Sequence, residues 1–238
     1  MAAFPHFRFT ALARTTSTQD IVWRAAREGA LPGYCCVAEE QTAGRGRLGR
    51  SWVAPPGSSL LMSLLLPPSP TTIPLVALAA GLAAADAIRS STSLEVGLEW
   101  PNDLVVDDAK LGGILVETEM GLGTVLGVGI NLTVDRFPPG IPGISLHTLV
   151  AEPPSPQALL EALLRALAPR LHQLESGGVG ALRPDWSSMA TQLHKRVAGW
   201  SAEGYVSGRA IGIDDDGLLL VESDARVHRL LALPPRVR

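Results

Sequence analysis

Apolar and polar positions alternate in short runs over much of this 238-residue chain, with a few longer apolar stripes between them. Residues 7–12 form the first run and predict an opening strand. Thr15-Thr16-Ser17-Thr18 then offers hydroxyls that can cap a helix. Ile21, Val22, Ala25 and Ala26 follow at helical spacing, and Gly29 is a natural stop. Residues 34–39 and 59–66 read as buried strands, the second ended by Pro67-Pro68. Leu75, Leu78, Leu82 and Ala85 make one helical face, with Pro74 near its first turn. Val96, Leu98 and Trp100 alternate with Glu95, Gly97 and Glu99, which predicts a half-buried strand ending in the turn Pro101-Asn102-Asp103. Residues 104–106, the Asp107-Asp108 turn and residues 110–119 predict a hairpin. A turn at 121–123 leads into a further strand over 124–134.

The C-terminal half opens with Pro-rich loops at 138–142 and 152–156. Between 159 and 174, Leu160, Leu163, Leu164, Leu167 and Leu171 stripe a helix that Pro169 is expected to kink and Ser176-Gly177-Gly178 to break. A shorter helix is expected over 186–193. From about Val197 the pattern changes to short strands, with turns at Glu203-Gly204 and Asp214-Asp215-Asp216-Gly217, which predicts a small β-barrel. Many strands in succession with two or three helices indicate an α+β fold with a mixed or antiparallel sheet. Two domains are expected, 1–192 and 193–238.

Composition narrows the function classes. The chain is 46% hydrophobic, enough for a sizeable core, and its net charge of −3 argues against a general polyanion binder. The only cysteines, Cys35 and Cys36, are adjacent, a poor arrangement for a structural disulfide. They sit in an apolar run and read as buried thiols in a reducing compartment. No His or Cys set has the spacing of a metal site. The N-terminus shows no leader pattern. The most apolar stretch, 73–85, is too short to span a bilayer and runs into Asp86 and Arg89, so a soluble, cytoplasmic protein is expected.

Against this acidic background one basic cluster stands out: Gly44-Arg45-Gly46-Arg47-Leu48-Gly49-Arg50, followed by Ser51-Trp52. Glycine lets a backbone curl around a ligand, and each Arg offers a planar charged fork to phosphate or carboxylate. Trp52 adds a flat apolar face. The pattern reads as an anion clamp that orders around its ligand; a solvated basic loop or a nucleic-acid contact is the alternative.

Two further clusters follow in order: Trp100-Pro101-Asn102-Asp103 with Lys110-Leu111-Gly112-Gly113-Ile114-Leu115, then Gly127-Val128-Gly129-Ile130-Asn131. Each alone is ambiguous. Together with the arginine loop they resemble the bacterial biotin–protein ligases, over nearly the whole chain from about Arg14. The resemblance implies a mixed-sheet catalytic domain of the biotin/lipoate ligase type flanked by helices, with a C-terminal Src-homology-3-like β-barrel. It implies an enzyme that converts biotin and MgATP to biotinyl-5′-AMP. Biotin then passes to a lysine of a biotin carboxyl carrier domain, typically of acetyl-CoA carboxylase. It also implies a monofunctional ligase without a DNA-binding module, from a family in which homodimers are frequent.

By the same resemblance, Ser17, Thr18 and Gln41 match polar contacts to the biotin ureido ring, which needs both donors and acceptors. Ser17 also reads as a helix N-cap. Gly44, Arg45 and Arg47 match the loop that closes over biotin and the adenylate. Arg45 is the expected neutraliser of phosphate charge, with Arg50 assisting, and Trp52 matches the residue near adenine. Lys110 matches the lysine between the biotin carboxylate and the α-phosphate, which with Arg45 forms the expected catalytic pair. Gly113, Gly127 and Ile130 match pocket walls. Asn102 and Asn131 match adenylate contacts, and Asp103 an acceptor-lysine or metal contact. One position departs: many relatives carry Lys where Glu99 stands, and strand alternation predicts that Glu99 points to solvent. Less favoured are a lipoate or octanoyl ligase or transferase, a non-catalytic biotin- or nucleotide-sensing module, and nucleic-acid binding through the arginine loop.

Overall fold

The computed structural model describes residues 7–67 and 72–234; the first six of the N-terminal residues read for a leader, Pro68 of the strand stop and the last four residues of the expected barrel lie outside the described residues. In chain order the elements are β1 (Arg8–Thr15), α1 (Thr18–Arg27), β2 (Tyr34–Gln41), β3 (Ser59–Leu66), α2 (Ile73–Thr92), β4 (Gly97–Glu99), β5 (Asp103–Val106), β6 (Ala109–Glu119), β7 (Gly123–Asn131), α3 (Pro156–Met189), β8 (Arg196–Ser201), β9 (Gly204–Ile213), β10 (Leu219–Ser223) and β11 (Arg226–Ala232). The first seven strands form one sheet in the order β1-β2-β3-β7-β6-β5-β4. It is mixed: β1 pairs parallel with β2, and every other pair is antiparallel. Strands β8 to β11 close into an antiparallel barrel.

Side-chain alternation divides the sheet into two faces. On one, Leu60, Met62, Leu64 and Leu66 of β3 join Ile114, Val116, Leu126, Val128 and Ile130 under α2 and α3 in the main core. On the other, α1 lays Val22, Trp23 and Ala26 over Cys36, Leu65 and Val125. Helix α2 is rich in Ala and Leu, begins with Pro in its first turn and stops at Ser93 in the left-handed region (φ 61°). It is longer than the apolar stretch suggested, because Asp86 and Arg89 continue it: Arg89 and Arg170 both reach the Asp86 carboxylate. By length and composition it is the one helix among the described residues that could cross a membrane, yet most of it is buried in the core.

Helix α3 corrects two expectations. Pro169 keeps helical backbone angles, and the break falls at Gly178 alone (φ 60°, ψ −160°), a conformation open to glycine. The helix resumes at once and ends at Met189, so the expected piece over 186–193 begins earlier and stops sooner. Strand β7 ends at Asn131, short of the expected 134, as Leu132 and Thr133 turn their N–H groups onto the Ser58 carbonyl at 2.9 Å. The barrel docks through its Asp214–Gly217 turn: the Trp100 indole donates to the Gly217 carbonyl at 2.8 Å, and Thr72 Oγ1 to that of Asp216 at 3.0 Å.

Candidate active site

Three glycines create the space for a site. On the face of the sheet that carries α1, Gly113 of β6 pairs with Gly129 of β7, and Gly127 lies two residues along the same strand. Without side chains there, a cavity of about 540 Å³ opens above the strands. The clearance is already used. A Cβ on Gly129 would stand 2.8 Å from the Trp52 ring, and one on Gly127 would stand 3.2 Å from the Gln19 amide.

The start of α1 supplies polar groups to one part of this cavity. Ser17 is the N-cap residue, yet its hydroxyl makes no capping bond. That task falls to Gln41, whose Oε1 accepts from Thr18 N at 2.7 Å and from Thr18 Oγ1 at 3.0 Å; Thr18 Oγ1 also meets Ser63 Oγ at 2.7 Å. Among the described residues, Ser17 Oγ, Gln19 Oε1 and Trp52 Nε1 are buried without a hydrogen-bond partner, and all three residues line the cavity. Buried polar atoms are rarely left so unless something else satisfies them. A ligand bearing both donors and acceptors fits.

Cations line another part. Lys110 Nζ donates to Asp103 Oδ1 at 2.7 Å and stands 5.7 Å from the Trp52 ring centre. A bulge in the β5–β6 ladder places Leu111 opposite no partner; Lys110 stays opposite Val105 on that side, while on the other its N–H donates to Pro142 O at 2.7 Å. The arginine loop has a stapled neck. Arg45 bridges Ser51, and Trp52 N donates to Gly44 O at 2.9 Å. Arg47 donates to Asn102 Oδ1 at 3.3 Å. Burial lowers the Arg47 pKa; nearby Arg50 adds to this and Asp103 opposes it, so an anion beside Arg47 would relieve a real cost. Arg50 lines the same cavity.

Most of the expected residues therefore meet in one place, with corrections. Ile130 is fully buried in the main core on the opposite face of β7. Gly44 sits at the loop's neck, where a Cβ would stand 2.6 Å from the Trp52 carbonyl, rather than in the cavity wall. Arg45 lines the cavity, but its guanidinium already joins Asp20 and, at 3.1 Å, Glu117. Burial alone would lower its pKa, but the hydrogen bonds it donates to these carboxylates, and their charge, outweigh that and raise it. Glu99 does not face open solvent: it lines the cavity, and its Oε1 accepts from Gln192 at 3.4 Å. Asn102 and Asn131 hold the frame. Asn102 Nδ2 donates to Ile114 O at 2.8 Å, and Asn131 Nδ2 to Ile144 O at 3.1 Å and Lys110 O at 3.3 Å. No group of three or more His, Cys, Asp or Glu that could hold a metal occurs among the described residues.

Sequence reasoning missed Gln19, Glu117, the 137–143 loop and the segment Ala232, Leu233 and Pro234, all but Glu117 lining the cavity. Gln19 adjoins the motif Ser17-Thr18 and could have been included on that ground. The others come from distant parts of the chain and carry no local signal.

Comparison with known proteins gives the site a context. Residues 11–135 match the Biotin/lipoate A/B protein ligase family, and residues 195–232 match the Biotin protein ligase C terminal domain. The biotin--[acetyl-CoA-carboxylase] ligase of Mycobacterium tuberculosis is 34% identical over 225 residues, covering 90% of this chain and 83% of the relative. That of Paracoccus denitrificans is 31% identical over 227 residues, covering 90% and 94%. Among solved structures, the biotin protein ligase from Aquifex aeolicus in complex with biotin and ATP superposes with a TM-score of 0.84 at 25% identity, over 94% of this chain and 96% of that one.

Proposed function

Because the chain belongs to the biotin/lipoate A/B protein ligase family, we propose that it is an ATP-dependent biotin–protein ligase acting on a biotin carboxyl carrier domain. The observation that carries this reading is the pairing, within one cavity, of unsatisfied buried polar atoms on Ser17 and Gln19 with the cations Lys110, Arg47 and Arg50. A ureido ring suits the first group, and a carboxylate meeting a triphosphate suits the second.

In the first step a biotin carboxylate oxygen attacks the α-phosphorus of ATP. The bond from that phosphorus to the bridging oxygen breaks, pyrophosphate leaves and biotinyl-5′-AMP forms. Lys110 is assigned to stabilise the negative charge shared by the carboxylate and the phosphoryl oxygen, as an ammonium held beside both can. Arg47 and Arg50 face the phosphates, and Trp52 covers the adenine. Magnesium arrives on the ATP phosphates. In the second step the neutral amine of a carrier lysine attacks the biotinyl carbonyl carbon. The acyl–phosphate bond breaks, AMP leaves and the amine loses a proton. Asp103 is assigned to meet that lysine. Cytoplasmic placement accompanies this reading.

Incubation with biotin, MgATP and a biotin carboxyl carrier domain, read by streptavidin blotting, tests the proposal. A biotinylated carrier is expected. Modification with lipoate but not with biotin would overturn it in favour of a lipoate ligase.

A further inference from the structure

The arginine loop begins with a residue whose charge is already spoken for. Arg45 Nη1 pairs with Asp20 Oδ1 of α1, and its Nη2 with Glu117 Oε2 of β6 at 3.1 Å. Glu117 Oε2 is itself a meeting point: it accepts from Trp23 Nε1 at 2.9 Å and from Gln19 Nε2 at 3.3 Å. Asp20 is steadied on its other oxygen by Thr16 Oγ1 at 3.2 Å. Two carboxylates around one guanidinium leave a local excess of negative charge, the wrong sign for receiving pyrophosphate. The backbone beside Arg45 is closed as well. Arg45 bridges Ser51, and Gly46 N donates to Arg50 O at 2.7 Å.

We infer that Glu117 and Asp20 are positioning residues that clamp Arg45 at the neck of the loop, so that Arg45 anchors the loop while Arg47 and Arg50 present its charge to the ligand. Glu117 acts on the cavity a second time. By taking the Gln19 amide N–H it turns Gln19 Oε1, unpartnered and buried, toward the Gly127 wall. One carboxylate thus sets both the loop's hinge and a polar contact of the cavity. Only the kinetic half of its test rests on the ligase reading.

Glu117→Gln keeps the shape and removes the charge without altering any tryptic site. The side chains of Arg45, Asp20 and Glu117 are 37%, 37% and 32% exposed, so pairs like these contribute a few-fold rather than orders of magnitude. Trypsin cleavage within 45–50 of the folded protein is expected to quicken about three- to tenfold, and KM for biotin to rise by a similar factor, with kcat changed by less than about twofold. Asp20→Asn touches neither Trp23 nor Gln19. It is expected to speed cleavage likewise and serves if Glu117→Gln does not fold. Cleavage and KM unchanged in both variants would overturn the clamp. So would Arg45→Gln lowering kcat about a hundredfold at constant KM, since that would place Arg45 on the transition state. Cleavage is read without substrate. A wild-type protein lacking biotin-dependent pyrophosphate release would sink the ligase reading and leave the clamp measurable.

Discussion

The Lys110 ammonium lies 2.7 Å from the Asp103 carboxylate, across the tight hairpin that joins β5 to β6. The Lys110 backbone donates to Pro142 O and accepts from Ile144 N, and its side chain lies over Gly113, where a Cβ would stand 3.2 Å from Nζ. Backbone, stem and charge are thus each held by a different segment. An ammonium fixed in this way needs little reorganisation to stabilise charge developing beside it.

If Lys110 carries that charge, Lys110→Gln will slow adenylate formation by about a hundredfold or more, measured as biotin-dependent pyrophosphate release. The melting temperature is expected to fall by only a few degrees, since the lost ion pair is partly exposed. Unchanged release by the folded variant would remove Lys110 from the chemistry.

Gly129→Ala tests the placing of Trp52 without touching the indole. The new methyl would stand 2.8 Å from two ring carbons, so the ring must tilt away from the β6–β7 floor. Base–aromatic stacking contributes about 1–3 kcal/mol, and KM for ATP is expected to rise by about five- to a hundredfold, with Trp52→Ala at the upper end. A normal KM for ATP in Trp52→Ala, with a much lower melting temperature, would make this tryptophan purely structural.

Trp100 joins the motif Trp-Pro-Asn-Asp to the barrel rather than to the cavity alone. Trp100→Phe removes the indole N–H, which strands the Gly217 carbonyl now bonded at 2.8 Å, and leaves part of the buried ring's space empty. The stranded carbonyl alone is expected to cost about 1–2 kcal/mol, or roughly 2–8 °C in thermal melting for a chain of this size, and the vacated ring space adds to that. No shift in melting would show that the bond contributes nothing to docking.

Burial pushes the Cys35 thiol up to about 12, with Cys36 adding to the effect, and burial pushes Cys36 up to about 11, from an ordinary 9.0. The folded state therefore favours the neutral thiols. Their contribution is intact below pH 9.0 and is lost progressively between 9.0 and the raised values, where the unfolded chain binds fewer protons. The urea midpoint of the wild type should drop faster above about pH 9 than that of a Cys35→Ala/Cys36→Ala variant. Parallel pH profiles would contradict this.

Much of this architecture is legible along the chain because its signals are local. The Leu-rich run 59–66 is β3 to the residue, and Asp107-Asp108 marks the β5–β6 hairpin, both residues taking positive φ. Gly113 and Gly127, matched to pocket walls through the family resemblance, line the cavity, where a Cβ would stand 3.2 Å from Lys110 Nζ or from the Gln19 amide. What could not be read depends on distant partners. Nothing near Arg45 announces that Glu117, seventy-two residues on, will neutralise it. Ile130 sits in a motif whose other members line the cavity, but alternation turns its side chain to the core. Gly178 was visible as a break, whereas the immediate resumption of α3 depends on Val179, Leu182 and Trp186 finding the core.

The identity of the acyl-adenylate made by the purified protein tests the central claim most directly. The protein is incubated with biotin and MgATP, without an acceptor and with an equal concentration of lipoate present. It is then freed of unbound small molecules and extracted for mass spectrometry. Biotinyl-5′-AMP, stoichiometric with the protein in the wild type and strongly depleted in Lys110→Gln, is the expected result. Folded wild-type protein that yields no adenylate, or yields lipoyl-AMP in its place, would contradict the account.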